Sequence, residues 1–181
     1  MTRVSITSAT PREVPDLLEM IRALAEFERL SHLCVVTHDH IERALFGRNP
    51  SAEVVLAREN AAIAGFALFF HNFSTFLGRP GLYLEDLYVR PDFRRKGYGR
   101  ALLAHLAKLA VERDCGRFEW SVLEWNRPAI DFYESLGATV MPDWRIARVT
   151  GPALKTMAAR AAGADDRLPE PTHVPDAPGE R

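Results

Sequence analysis

Tyr83-Leu84-Glu85-Asp86-Leu87-Tyr88-Val89-Arg90-Pro91-Asp92-Phe93-Arg94-Arg95-Lys96-Gly97-Tyr98-Gly99-Arg100 reads as a strand with carboxylates in its middle, a short basic turn and the start of a helix. Such a turn presents backbone N–H groups and a helix N-terminus to one point in space, and such a point binds phosphate. Gly97 and Gly99 let the backbone approach an anion closely, while Arg94, Arg95, Lys96 and Arg100 add positive charge. The bland alternative is a solvated basic turn that merely opens a helix, and two spaced glycines alone are a weak signal. A strand before the turn and an amphipathic helix straight after it favour function. An acid within one strand length of a phosphate cradle points to chemistry on a phosphate-bearing cofactor.

The bulk properties exclude several classes. A chain of 181 residues suits one domain with a full-sized core, and 47% hydrophobic content is ordinary for a globular protein. A net charge of −1 offers no global attraction to nucleic acid or anionic membrane. The basic turn also lacks the interleaved aromatics that stack bases. The longest apolar run, residues 63–70, is interrupted by Gly65 and is too short to span a bilayer. Met1-Thr2-Arg3-Val4 runs straight into strand-like alternation, so no signal peptide is expected. Cys34 and Cys115 show neither paired nor metal-type spacing, which fits free thiols in a reducing cytoplasm. His38-Asp39-His40 has ligand residue types but no third ligand nearby in sequence, and no metal site is expected.

Outward from the opening stretch, the pattern is that of an α/β (α+β) chain with a mixed sheet. Residues 4–7 alternate as a first strand. Thr10-Pro11-Arg12-Glu13 is a capping box with Pro at the first helical position, and Val14, Leu17, Leu18, Ile21 and Leu24 follow at helical spacing. Thr37 caps a second helix that Gly47 stops. Residues 53–58 and 63–70 form two strands about a tight turn, residues 72–80 a loop, and residues 82–89 the fourth strand. A helix over residues 100–115 and a fifth strand over 117–123 come next. A helix over 127–136 follows, ended by Gly137. Residues 139–141 and 144–149 read as a last pair of strands. The folded domain covers residues 1–160. From 161 the chain turns proline-rich and acidic, too poor in apolar residues to offset its ordering entropy, and is expected to be disordered.

Two strings make the sequence recognisable. Arg94-Arg95-Lys96-Gly97-Tyr98-Gly99 matches the Arg/Gln-x-x-Gly-x-Gly/Ala pyrophosphate loop of the GNAT superfamily of N-acetyltransferases. Residues 123–138, from Leu123-Glu124-Trp125-Asn126 to Tyr133 and Gly137, resemble its second signature. Tyr83-Leu84-Glu85-Asp86, Glu124-Trp125-Asn126 and Leu24-Ala25-Glu26-Phe27-Glu28 resemble the branch that contains spermidine/spermine and thialysine acetyltransferases. The likeness spans about residues 4–157.

The resemblance implies a sheet splayed between its fourth and fifth strands, with acetyl-CoA in the gap as co-substrate. It implies a homodimer with residues 144–149 near the interface, and direct attack of the amine in a ternary complex. An alkylammonium with a pKa of about 10 must lose a proton before it can attack. By family position Glu85 is the general base and Tyr133 the general acid toward the leaving sulfur. A bulge in the fourth strand would free N–H groups of Leu87, Tyr88 and Val89 for the cofactor and the thioester oxygen. Residues Arg94 to Arg100, Tyr98 included, take the pyrophosphate, and Asn126, Pro128, Ala129 and Tyr133 the remainder of the cofactor. Asn126 alone is explained equally well as a helix cap.

Phe27, Glu28, Glu85, Asp86, Glu119 and Trp120 are assigned to the acceptor site, with Asp86 turned away from Glu85 unless a bulge intervenes. A solvated helix face explains Glu28 equally well. The loop 72–81 carries no acid where spermidine enzymes place one, and resembles the thialysine-type relatives more closely. The expected acceptor is a small primary amine, of the diamine, polyamine or lysine-like kind. A protein amine, an aminoglycoside, or a non-catalytic acetyl-CoA sensor are the rivals, and neither nucleic acid nor membrane is an expected partner.

Overall fold

The computed structural model describes residues 4–161. The chain divides into two compact units, Met1–Asn126 and Arg127–Arg181. The first holds β1 (Val4–Ser8), α1 (Val14–Phe27), α2 (His38–Phe46), β2 (Glu53–Glu59), β3 (Ala62–Ser74), β4 (Arg79–Val89), α3 (Tyr98–Glu112) and β5 (Arg117–Trp120). The second holds α4 (Arg127–Glu134) and α5 (Gly151–Arg160). No helix among the described residues is long and apolar enough to cross a membrane.

In the first unit the strands lie in sequence order in one five-stranded sheet. The first four pair antiparallel, and β5 runs parallel to β4. Local chemistry sets the connections. Thr10 and Glu13 form the expected reciprocal cap, with the Thr10 N–H donating to Glu13 Oε2 at 2.7 Å. The Thr37 hydroxyl accepts from the His40 N–H at the start of α2. Asn60, at φ 56°, turns β2 into β3, as Asn tolerates the left-handed region.

Alternation along the strands buries both faces of the sheet. Val54, Leu56, Phe66 and Tyr88 join Val14, Leu17, Met20 and Leu24 of α1 and Ile41 and Leu45 of α2 in one core. Val55, Ala57, Ala67 and Phe69 are buried on the opposite side, where α3 supplies Leu102, Leu103, Leu106 and Ala110.

The structure departs from the sequence reading in several places. Residues 72–80 are not a loop: β3 runs to Ser74 and pairs with β4 as far as Arg79. Asn72 and Pro80 look like loop residues, yet Pro80 sits opposite Phe73 at the strand's first turn, where a missing N–H is tolerated. The turn closes instead on the Ser74 hydroxyl, which accepts from the Leu77 N–H, with Gly78 at φ 61°. Secondly, β5 stops at Trp120, three residues earlier than the alternation indicates. Thirdly, residues 139–141 and 144–149 form no strand. Val140, Met141, Trp144, Ile146 and Val149 are exposed there, and a strand pattern without a partner backbone leaves its N–H and C=O groups to solvent. Residues 151–160 form α5, hidden from the sequence by a Gly151-Pro152 opening that reads as a breaker. Beyond Ala161, the expected proline-rich tail lies outside the described residues.

Two irregularities of β4 position the site. Its pairing with β5 covers only Gly81 to Leu84, so the strand runs on to Val89 with no strand paired on that side among the described residues. This is the expected splay. Opposite β3, Asp86 pairs with Leu68 and Leu84 with Phe69, which leaves Glu85 as an extra, unmatched residue. The bulge expected in the fourth strand is therefore at Glu85.

Past the bulge, Gly65 faces Val89, and a Cβ at Gly65 would lie 2.3 Å from the Tyr88 carbonyl oxygen and 3.0 Å from the Val89 Cα. Backbone cannot swing aside as a side chain can. Gly65→Ala is expected to cost about 1–3 kcal/mol, as overpacking does. Urea unfolding measures it, and an unchanged midpoint would show that β4 tolerates displacement at its exit.

Candidate active site

The turn after β4 opens α3 without a side-chain cap. Arg94 is extended, Arg95 sits at φ 60°, and Gly97 at φ 92° is the N-cap of α3 without any side-chain capping bond. A Cβ on Gly97 would meet nothing within 4 Å, so the backbone angle, rather than space, calls for glycine there. The first N–H groups of α3 are thus left for a ligand, at the positive end of a 15-residue helix. Arg95, Lys96 and Arg100 are exposed around it, with the Lys96 ammonium 5.2 Å from the Phe93 ring centre.

Two residues of this turn have other work for their side chains. The Tyr98 ring is 2% exposed, and its hydroxyl donates to Glu59 Oε1 at 2.8 Å. Burial, and then the Glu59 carboxylate, push its pKa up. Only the Tyr98 backbone remains for a cofactor. Arg94 donates from Nε to the Val89 carbonyl oxygen at 3.0 Å, and its guanidinium lies 5.3 Å from the Phe27 ring and 5.7 Å from the Tyr88 ring. Arg94 therefore ties the turn to both β4 and the end of α1.

A cluster of acids sits at the bulge. Its register places Asp86 on the side of the sheet that carries Phe66, Leu68 and Tyr88, beneath α1. Burial first, then the negative charges of Glu85 and Glu28, raise the Asp86 pKa to about 6. Burial also raises Glu28, at the C-cap of α1. Glu85 is exposed. The condition set for Asp86 in the sequence is met: a bulge turns it, and its carboxyl feels the negative charges of Glu85 and Glu28. Such a cluster attracts a cation and offers it more than one acceptor oxygen.

The other assigned acceptor residues fare differently. Glu119 stands opposite Tyr83 on β5, and its carboxylate accepts from Asn72 Nδ2 at 2.7 Å and pairs with Arg117 at 3.1 Å. Its charge is already committed within the sheet. Trp120 lies opposite Leu84 and packs its ring 4.9 Å from Phe118. Phe27 is exposed, and its ring lies 6.0 Å from that of Trp125, a residue to which the sequence assigned no role. The only sequence signal for that pair was a tryptophan inside the second signature.

In the second unit, Pro128 and Ala129 lie in the first turn of α4 and Tyr133 in its last. Gly137, at φ 91°, closes the helix, and the Tyr133 carbonyl accepts from the Ala138 N–H at 3.1 Å. Asn126, which directly precedes α4, bonds its backbone N–H to the Leu123 carbonyl at 2.9 Å. On α2, His38 lies 3.7 Å from both Asp39 and Glu42, all three exposed.

The Asp86 carboxyl has a consequence for stability. With a folded pKa of about 6 against the ordinary 3.8, the native state keeps a proton that the unfolded chain has already released. Stability therefore falls as pH rises through that window, and above it the ionised group is a constant cost. Asp86→Asn removes the charge. Its melting temperature should match the wild type near pH 4 and exceed it above about pH 6. A gap of constant size across this range, read from thermal melts, would contradict the assignment.

Comparison with known proteins agrees with this geometry. Residues 17–138 match the acetyltransferase (GNAT) family. The chain is 35% identical to an L-ornithine N5-acetyltransferase of Arabidopsis thaliana, covering 84% of this chain and 86% of that one. It is 34% identical to the thialysine N-epsilon-acetyltransferase of Mus musculus, covering 88% of this chain and all of its relative, 100%. Among solved structures, an integron cassette protein from the V. cholerae mobile metagenome superposes with a TM-score of 0.73 at 26% identity, over 87% of this chain and 98% of that one. The uncapped basic turn, the splayed β4 and these relatives together place the chain in the GNAT family, as an N-acetyltransferase.

Proposed function

We propose that the chain transfers acetyl from acetyl-CoA to a primary amine of a small cationic acceptor of the ornithine, lysine or thialysine kind. The observation that carries this reading is the acidic cluster of Glu85 and Asp86, on the strand that leads into the uncapped turn, with Glu28 at the C-cap of α1. The relatives' named activities support it. Acetyl-CoA supplies the activated acetyl group. The N–H groups of residues 97–99, with Arg95, Lys96 and Arg100, suit its diphosphate, and Asn126, Pro128 and Ala129 its remaining arm.

The acceptor arrives as a cation, since an alkylamine has a pKa of about 10. Asp86 and Glu28 hold positive charge in a half-buried setting, where attraction is stronger than in water. Glu85 stands at the bulge, exposed to the incoming amine, and removes its proton, directly or through water. Backbone N–H groups of Leu87 to Val89, on the part of β4 without a β5 partner, stabilise the oxyanion. Tyr133 protonates the leaving sulfur, and transfer is direct within a ternary complex. The protein is cytoplasmic and homodimeric, the dimer supported by Trp144 and Ile146, 74% and 67% exposed in a segment that forms neither helix nor strand.

The test is free-thiol release with a panel of ornithine, lysine, thialysine, putrescine, spermidine and aminoglycosides. Turnover of the diamino acids is expected, and no turnover with any amine would favour a sensor. Tyr133→Phe should lower kcat about 10²- to 10⁴-fold with little change in acceptor KM, the usual worth of a general acid. Equal kcat would remove Tyr133 from the acid role. For a cationic acceptor, kcat/KM should fall as pH drops through about 6, as Asp86 gains its proton, and Asp86→Asn should lose that limb. Sedimentation equilibrium at micromolar concentration should give a dimer, and a monomer would overturn that assignment.

A further inference from the structure

Arg29 occupies an unusual place. It follows the α1 C-cap Glu28 and stands in the left-handed region, at φ 62°. Its N–H donates to the Glu26 carbonyl at 3.0 Å, and the Leu30 N–H donates to the Ala25 carbonyl at 2.8 Å. This is a Schellman helix end, whose left-handed residue is ordinarily glycine. An arginine there carries backbone strain that glycine would avoid, so its side chain must offer something in return. The guanidinium lies 5.9 Å from the Trp125 ring, and that ring is 6.0 Å from Phe27. Among the described residues Arg29 takes part in no ion pair, although Glu26 and Glu28 lie just before it in sequence. Arg94, by contrast, is held by the Val89 carbonyl and two rings.

The end of α1 thus sets Glu28, whose charge acts on Asp86 at the bulge, next to Arg29, a cation without an ion-pair partner among the described residues. Negative sites beside one positive site complement an acceptor that carries ammonium groups and a carboxylate. A diamine needs only the acids. We propose that Arg29 is a specificity-determining residue whose guanidinium pairs with the acceptor's α-carboxylate, so that diamino acids are preferred to diamines of the same chain length. The inference rests on the acceptor site proposed above. It assigns the exposed Phe27–Trp125 pair as the apolar wall along which the methylene chain lies. A helix C-terminus also favours a nearby cation, but that effect would act equally on every acceptor.

Ornithine and putrescine make a matched pair, since they differ by the carboxylate alone. Wild type, Arg29→Gly and Arg29→Lys, all full length, would be assayed with both by thiol release. Binding of each amine would be followed by calorimetry in the presence of CoA. Arg29→Gly relieves the left-handed strain and should melt no lower than wild type, which separates specificity from folding. The ornithine-to-putrescine ratio of kcat/KM should drop about tenfold or more in Arg29→Gly, the scale of one lost charge-assisted bond. Arg29→Lys should restore part of it. A ratio unmoved by Arg29→Gly, in an enzyme that turns over both amines, overturns this inference and leaves the proposed function standing. A wild type that turns over no amine overturns the proposed function, and calorimetry then still reads whether Arg29→Gly weakens ornithine selectively.

Discussion

One extra residue in β4 organises the site. Because Glu85 has no partner across the ladder, the strand changes register between Leu84 and Asp86. Two residues that regular pleating would hold on one face are thereby sent to opposite faces. Leu84 stays with Phe69 over α3, and Asp86 goes with Leu68 beneath α1. A carboxyl placed there is costly, as its raised pKa shows. Pairing with β5 ends at Leu84, the residue before the bulge. The acids and the open edge of the strand therefore share one origin.

The strand is also anchored beyond the bulge. Arg90 pairs with Glu19 at 2.6 Å and Asp16 at 3.5 Å, and its N–H donates to the Ala64 carbonyl. Arg94 follows with its contacts to Val89, Tyr88 and Phe27. These two arginines join the exit of β4 to the length of α1, from its first turns to its last residue. The basic turn and the acidic cluster are consequently held by the same helix. A shift of α1 would move both.

Much of the fold was legible because its signals are local. A capping box at Thr10, an N-cap at Thr37, Asn60 at a turn and Gly97 before an amphipathic helix each depend on bonds made within a few residues. The uncapped basic turn was legible for the same reason. Where the reading failed, the deciding partner was distant. Asn72 and Pro80 have loop-like chemistry but are strand residues because β3 and β4 pair through them. Residues 144–149 have strand-like chemistry but no paired backbone within the described chain. Glu119 looked like a free acid of the acceptor site, and Asn72 and Arg117 have claimed it.

The sequence by itself determined the family, the basic turn before α3 and the acids on β4 and at the end of α1, because residue type and short spacing carry that information. It could not decide which of those acids face the same way, since that depends on a register shift that no local pattern announces. Nor could it show Arg29 in a left-handed slot beside Trp125. Both are settled by long-range pairing and packing, in which strands and helices far apart in the chain determine where each charge comes to rest.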